Sequence, residues 1–148
     1  MDILFLIFNG FIIGILATGI MSIGNILVWR KWGFQGVLEW DESKGMIEKL
    51  LRRPIQETNI LVYLLHFFNG GLLAVPFLVL VSWLKMENIL VVVGVIYALI
   101  VWLVTLAPVH KWLTGNNLFS YPKFVYISIG NHLLYGLILG IFVDLSLW

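Results

Sequence analysis

Apolar residues form four long runs along the chain, and shorter polar segments separate them. The runs occupy residues 3–29, 59–84, 89–108 and 124–143. Each predicts a transmembrane α-helix, since about 20 apolar residues cross a bilayer and a spanning segment must satisfy its own backbone polar groups unless strands close into a barrel. Short alternating strands of the barrel type are not visible. The predicted fold class is therefore all-α, an integral membrane four-helix bundle.

The composition agrees with a membrane protein. The chain has 148 residues, of which 61% are hydrophobic and 11% charged, and its mean hydropathy is +1.00. Soluble domains are about half apolar and about a quarter charged. We expect one transmembrane domain over residues 1–148, with no room for a separate soluble domain. The net charge of +1 gives no reason to expect nucleic acid binding, and the absence of cysteine excludes disulfides and thiolate chemistry.

The positive charges predict the orientation of the helices. The first loop carries Arg30, Lys31, Lys44, Lys49, Arg52 and Arg53, and the third carries Lys111 and Lys123. The second loop has only Lys85. The positive-inside rule places loops one and three in the cytoplasm and both termini outside, in a multi-pass protein of the cell (inner) membrane. We expect the first run to be a retained span and not a secretory signal, because it is too long for one and its basic residues follow it.

Residues 41–53 of the first loop predict a short amphipathic helix. An apolar stripe at helical spacing contains Met46, Ile47, Leu50 and Leu51. Asp41 or Ser43 can cap its start, and Pro54 ends it. Such a helix can lie on the cytoplasmic membrane surface or pack on the underside of the bundle. A partner protein could also use this surface.

The chain shows signs of an internal parallel two-helix repeat. A shift of 80 residues places Gly14 on Gly94, and a shift of 66 places His66 on His132. Spans one and three run in the same direction, as do spans two and four. The expected symmetry is a pseudo-two-fold axis along the membrane normal.

Polar residues inside the predicted spans gather at one depth, near the cytoplasmic ends. His66 is followed at four-residue intervals by Gly70 and Ala74, and His132 by Gly136 and Gly140, so each histidine shares a helix face with small residues. Small residues mark faces where membrane helices approach closely. We therefore expect both imidazoles to point into the protein. The predicted intramembrane polar cluster contains Ser22, Asn25, His66, Asn69, Thr105, Ser128, Asn131 and His132.

The cluster has one structural and several functional interpretations. Structurally, Ser, Asn and neutral His hydrogen-bond between membrane helices, each pair contributing about 1 kcal/mol.

As a cofactor site, His66 and His132 could supply both axial ligands of a b-type haem. With Met21 they would form a soft set suited to copper(I), whereas zinc lacks a tetrahedral ligand set here. Ion-coupled transport is less favoured, because no Asp, Glu, Lys or Arg lies in the middle of a span. Hydrolase, kinase and nucleotide-binding motifs are not visible.

The two His-x-x-x-Gly spans carry a resemblance to known sequences. With "HFFNGG" in span two, "LAP" at the end of span three and "NHLLYG" in span four, the chain resembles small four-span prokaryotic membrane proteins of uncharacterised families. The resemblance implies the four-span fold and no chemistry.

These observations predict a non-catalytic membrane protein. Its small soluble parts and the lack of a reactive constellation favour an accessory subunit that contacts lipid and larger membrane partners, such as a respiratory or other redox complex. The first alternative is a haem b-binding electron-transfer subunit that uses His66 and His132. A small channel or transporter is the third hypothesis.

Overall fold

The structure, a computed structural model, describes residues 2–32, 39–56, 59–86, 89–120 and 122–147. In chain order its elements are α1 (Ile3–Trp32), α2 (Glu39–Leu51), α3 (Ile60–Leu84), α4 (Leu90–Val101), a π-helical segment (Trp102–Leu106), α5 (Ala107–Thr114), a 3₁₀ turn (Leu118–Ser120) and α6 (Pro122–Leu147). No strand occurs in these ranges. The prediction of an all-α fold with four membrane-length helices is confirmed.

Four helices are long and apolar enough to cross a membrane. They cover Ile3–Leu27, Ile60–Leu84, Leu90–Thr114 and Pro122–Leu145. Their outward side chains are large and apolar, as at Leu4, Phe8 and Leu145, which are 69%, 67% and 70% exposed. A surface of this kind suits contact with acyl chains and not with water. The chain is therefore a multi-pass membrane protein.

The third spanning helix consists of α4, the π-helical segment and α5 without a break. The sequence places the end of this span at Pro108, but the helix continues to Thr114. Proline removes one amide donor from the helical ladder, and the widened π turn ends at Leu106, two residues before Pro108. The helix ends where Gly115 adopts a left-handed conformation (φ 75°) and donates its N–H to the carbonyl of Lys111.

Close contacts between glycines join the spanning helices in pairs. A Cβ atom added to Gly14 of α1 would lie 2.4 Å from the carbonyl oxygen of Gly70 in α3. A Cβ added to Gly94 of α4 would lie 2.4 Å from the carbonyl oxygen of Gly136 in α6. Only glycine permits these approaches, as at the small-residue faces of other membrane helices. The pairs α1–α3 and α4–α6 meet mainly through α1 and α6, and α3 and α4 share few contacts.

Helix α2 packs against α3 and α5 at one end of the bundle. Ser43 is buried against the bundle, whereas Leu50 and Leu51 are exposed. The predicted apolar stripe is thus divided, because Met46 and Ile47 are half-buried and the two leucines face outward. The helix begins and ends two residues earlier than the predicted range 41–53. Of the alternatives drawn from the sequence, its position matches a helix on the underside of the bundle.

Candidate functional site

A cavity of about 270 Å³ lies between the spanning helices, next to α2. Its polar side chains come from all four spans and from α2, and they are Thr18, Glu42, Ser43, His66, Asn69, Thr105, His132 and Tyr135. Seven apolar side chains complete the wall, namely Met21, Met46, Leu72, Leu73, Val101, Leu106 and Val109. The cavity therefore combines hydrogen-bonding groups with an apolar surface.

His66 lies in the second turn of α3 and is buried, 8% exposed. Its Nε2 atom is 3.0 Å from the hydroxyl oxygen of Ser22 in α1, which is also buried. The ring packs edge-on against Phe67, with ring centroids 5.7 Å apart. Ser22 thus orients the imidazole at the wall between α1 and α3.

His132 lies on α6 and lines the same cavity. Its Nδ1 atom is 2.9 Å from the carbonyl oxygen of Ser128, one turn earlier in the helix. A carbonyl oxygen only accepts hydrogen bonds, so Nδ1 carries the proton. In the neutral ring, Nε2 then carries a lone pair.

Three hydroxyl groups of the wall donate to backbone carbonyls. Thr18 donates to Gly14 at 2.8 Å and Thr105 to Val101 at 2.7 Å, each across one helical turn. Tyr135 donates to Gly70 at 2.6 Å and so connects α6 with α3. Each bond uses the single hydrogen of the hydroxyl and leaves its oxygen able to accept.

The remaining residues of the predicted polar cluster lie apart from the cavity, except Asn69, which lines it. Asn131 of α6 donates its side-chain amide to the side-chain oxygen of Asn25 in α1, and both residues are buried. The hydroxyl of Ser128 accepts a hydrogen bond of 3.0 Å from the indole N–H of Trp102. These two contacts join neighbouring helices, as the structural interpretation expects. The predicted cluster thus divides into cavity walls and interhelical contacts.

Sequence reasoning missed the contribution of α2. Glu42, Ser43 and Met46 line the cavity, and the Glu42 carboxylate lies 3.7 Å from Nδ1 of His110 on α5. Positions 42, 43 and 46 share one face of a helix. The sequence could therefore have indicated that these three residues lie together. It could not indicate that the face points toward the bundle, because that depends on how α2 packs.

The arrangement does not fit the two-histidine haem alternative. Axial ligation uses a ring nitrogen of each histidine, and Nε2 of His66 already contacts Ser22. The cavity of about 270 Å³ is smaller than the roughly 300–1,000 Å³ of pockets for drug-sized ligands, and haem is larger than most of these. The side chain of Tyr135 also bridges α6 and α3, the two helices that carry the histidines, through its 2.6 Å hydrogen bond to the Gly70 carbonyl.

Metal ligation has limited support as well. Within the described part of the chain, no group of three or more His, Cys, Asp or Glu side chains could hold a metal ion. Met21 does line the cavity with His66 and His132. A copper(I) site at these three residues stays a prediction.

The four apolar spans define a multi-pass membrane protein, and a partly polar cavity lies between them. The chain belongs to a family of unknown function (DUF6789), whose profile matches residues 6–146. Membership of an uncharacterised family, as the resemblance implied, is confirmed. No curated protein and no solved structure matches the chain at a significant level.

Proposed function

We propose that the protein binds a small amphiphilic ligand in the cavity between its spanning helices. The proposal rests on the cavity, to which every span contributes polar side chains. Elsewhere in the bundle the helices approach so closely that glycines contact the backbone of the neighbouring helix. A polar group is costly to bury in an apolar medium unless it is hydrogen-bonded. Concave sites with an apolar wall and a few convergent polar groups are typical of small-molecule binding.

The proposed ligand enters from the bilayer between α3 and the third span. Leu72 lines the cavity and is 52% exposed at the outer surface of α3, so the cavity reaches the lipid-facing side there. Helices α3 and α4 share few contacts, among them the hydrogen bond from the Tyr97 hydroxyl to the Leu73 carbonyl, so this side of the bundle is its least closely packed. A ligand with an apolar body can approach through lipid without crossing water.

The orientation proposed from the sequence places the cavity near the cytoplasmic face of the inner membrane. Helix α2 carries Lys49 and the helix ends near it carry Lys111 and Lys123, whereas the opposite loop carries Lys85. The positive-inside rule supports this arrangement. Helix α2 would then close the cavity from the cytoplasm.

An ancestral duplication remains part of the proposal. Gly14 contacts Gly70 in the first half of the chain, and Gly94 contacts Gly136 in the second half. The shift of 80 residues relates Gly14 to Gly94, and the shift of 66 relates Gly70 to Gly136. In many transporters the substrate site lies at the interface between two repeats. The cavity likewise receives side chains from both halves of the chain, which favours ligand binding over a purely structural polar cluster.

The accessory-subunit hypothesis has less support. Membrane helices that pack against partners present small residues, and Gly14, Gly70, Gly94 and Gly136 are all used inside this chain. Association with a larger redox complex, electron transfer and transport all stay predictions.

Filling the cavity tests the proposal. Val109→Trp places a large side chain in the cavity wall, and Val104→Trp places the same side chain on a lipid-facing position that is 65% exposed. Each protein is purified from its own membrane in mild detergent and analysed by native mass spectrometry. We expect a bound non-protein mass on the wild type and on Val104→Trp, and its loss from Val109→Trp. A wild type without a bound molecule, or equal retention by both variants, would overturn the proposal.

A further inference from the structure

Three hydroxyl groups of the cavity wall have already used their hydrogens. Thr18, Thr105 and Tyr135 each donate to a backbone carbonyl, at 2.8, 2.7 and 2.6 Å. A hydroxyl has one hydrogen and two lone pairs. Toward the cavity these three side chains therefore present oxygen atoms that accept hydrogen bonds and cannot donate without breaking an internal contact.

Two further wall residues have the same bias. The bond from Nδ1 of His132 to the Ser128 carbonyl leaves Nε2 with a lone pair in the neutral ring. Glu42 contributes carboxylate oxygens, which only accept when ionised. Asn69, Ser43 and the neutral imidazole of His66 contain both donors and acceptors and line the same cavity.

Resting on the proposed function, we infer that the site selects ligands whose polar end donates hydrogen bonds, and specifically neutral amphiphiles with a hydroxyl group. An ether or a ketone of the same shape would place its lone pairs against those of the wall. A donor left without an acceptor, or two facing acceptors, costs affinity. An ammonium group would satisfy the acceptors as well, but it would have to lose its hydration to enter an apolar-walled cavity.

A pair of ligands that differ only in this hydrogen tests the inference. The phenol is 4-octylphenol, and its methyl ether, 4-octylanisole, keeps the ring and the chain but cannot donate. Binding to the full chain in detergent is measured by isothermal titration calorimetry, and the signal that remains with Val109→Trp is subtracted as micelle partitioning. We expect the phenol to bind roughly three- to tenfold more tightly, as one net hydrogen bond contributes.

A matched pair of substitutions tests whether the side chains of the cavity wall cause the preference for a hydrogen-bond donor. Thr105→Val removes an acceptor at nearly constant shape, and we expect it to lower the ratio of phenol to ether affinity. Thr114→Val is the control, because Thr114 makes the same one-turn hydrogen bond, to His110 at 2.9 Å, on an exposed surface. The control should keep the ratio of the wild type.

The remaining outcomes separate the inference from the proposed function. Equal binding of phenol and ether, both abolished by Val109→Trp, would overturn the donor preference and leave the ligand site standing. If neither compound bound beyond the Val109→Trp signal, the site and the inference would both fail. Tighter binding of octylamine than of 4-octylphenol would replace the neutral hydroxyl with a cation and overturn the inference.

Discussion

The hydroxyl of Tyr135 donates a hydrogen bond of 2.6 Å to the carbonyl oxygen of Gly70, and this contact joins α6 to α3 across the wall of the cavity. The two helices belong to different glycine-packed pairs. Gly70 is also the point where α3 meets α1, since a Cβ added there would overlap the hydroxyl of Thr18. One residue of α3 thus contacts both α1 and α6 in the wall of the cavity.

Removal of this hydrogen bond should destabilise the bundle. Tyr135→Phe keeps the ring and deletes the hydroxyl, so we expect the free energy of unfolding to fall by about 1 kcal/mol. Tyr126→Phe is the control, because Tyr126 is 74% exposed and should lose much less. Equilibrium unfolding with increasing SDS in mixed micelles measures both. Equal losses for the two variants would contradict a structural role of the contact.

The glycine contact between α4 and α6 should tolerate no side chain. A Cβ added to Gly94 would lie 2.4 Å from the Gly136 carbonyl oxygen, whereas one added to Gly130 of α6 meets nothing within 4 Å. We expect Gly94→Leu to destabilise the protein by at least the roughly 1–3 kcal/mol typical of overpacking. Gly130→Leu should leave the melting temperature nearly unchanged. Thermal unfolding followed by circular dichroism compares them, and similar melting temperatures would refute the close approach.

The sequence was sufficient for the spans because lipid leaves few choices. Long apolar runs must become helices in a bilayer, and the position of His66 four residues before Gly70 correctly suggested a ring on a small-residue face. Pro108 was misleading. Proline usually ends a helix, but the π turn at Trp102–Leu106 precedes it and the helix continues to Thr114.

The site was less predictable than the spans. Depth along a helix can be counted from the sequence, and it brings His66 and His132 to one level. The sequence does not give the rotation of each helix about its own axis or show which helices become neighbours. It therefore could not show that Asn25 and Asn131 would bond to each other, apart from the cavity. Glu42 was out of reach for another reason. Its place in the wall depends on how α2 folds back on α3 and α5, which no local pattern specifies.

The hydrogen bond from Trp102 to Ser128 offers a measure of polar contact energy inside this bundle. Both residues are buried, and the bond spans 3.0 Å between the π-helical segment and α6. A double-mutant cycle with Trp102→Phe and Ser128→Ala should give a coupling energy of about 0.6 kcal/mol, the average of such cycles in one membrane protein studied in this way. The cycle uses free energies of unfolding in SDS-containing micelles. Strictly additive losses would show that the two side chains do not interact.

Helix α2 should be held beside α5. Gly45 lies where an added Cβ would be 3.3 Å from the Leu113 side chain, and Nζ of Lys49 lies 4.6 Å from the centre of the Trp112 ring. The chain contains no cysteine, so Gly45→Cys with Leu113→Cys forms a unique thiol pair. We expect a short bifunctional thiol reagent to cross-link this pair in membranes. Leu50→Cys with Leu113→Cys is the control, since Leu50 is 71% exposed on another face of α2, and equal cross-linking would mean that α2 does not stay docked.

Single cysteines can also test the orientation in the membrane. Arg53 follows α2 and Asp2 precedes α1, both residues are exposed, and the positive-inside rule places them on opposite sides. In whole bacterial cells that express the protein, a membrane-impermeant maleimide should label Asp2→Cys and not Arg53→Cys. After the cells are broken open, both variants should react, which shows that Arg53→Cys is accessible when the reagent can reach it. Labelling of Arg53→Cys in intact cells would reverse the topology, and α2 would then close the cavity from the outer side.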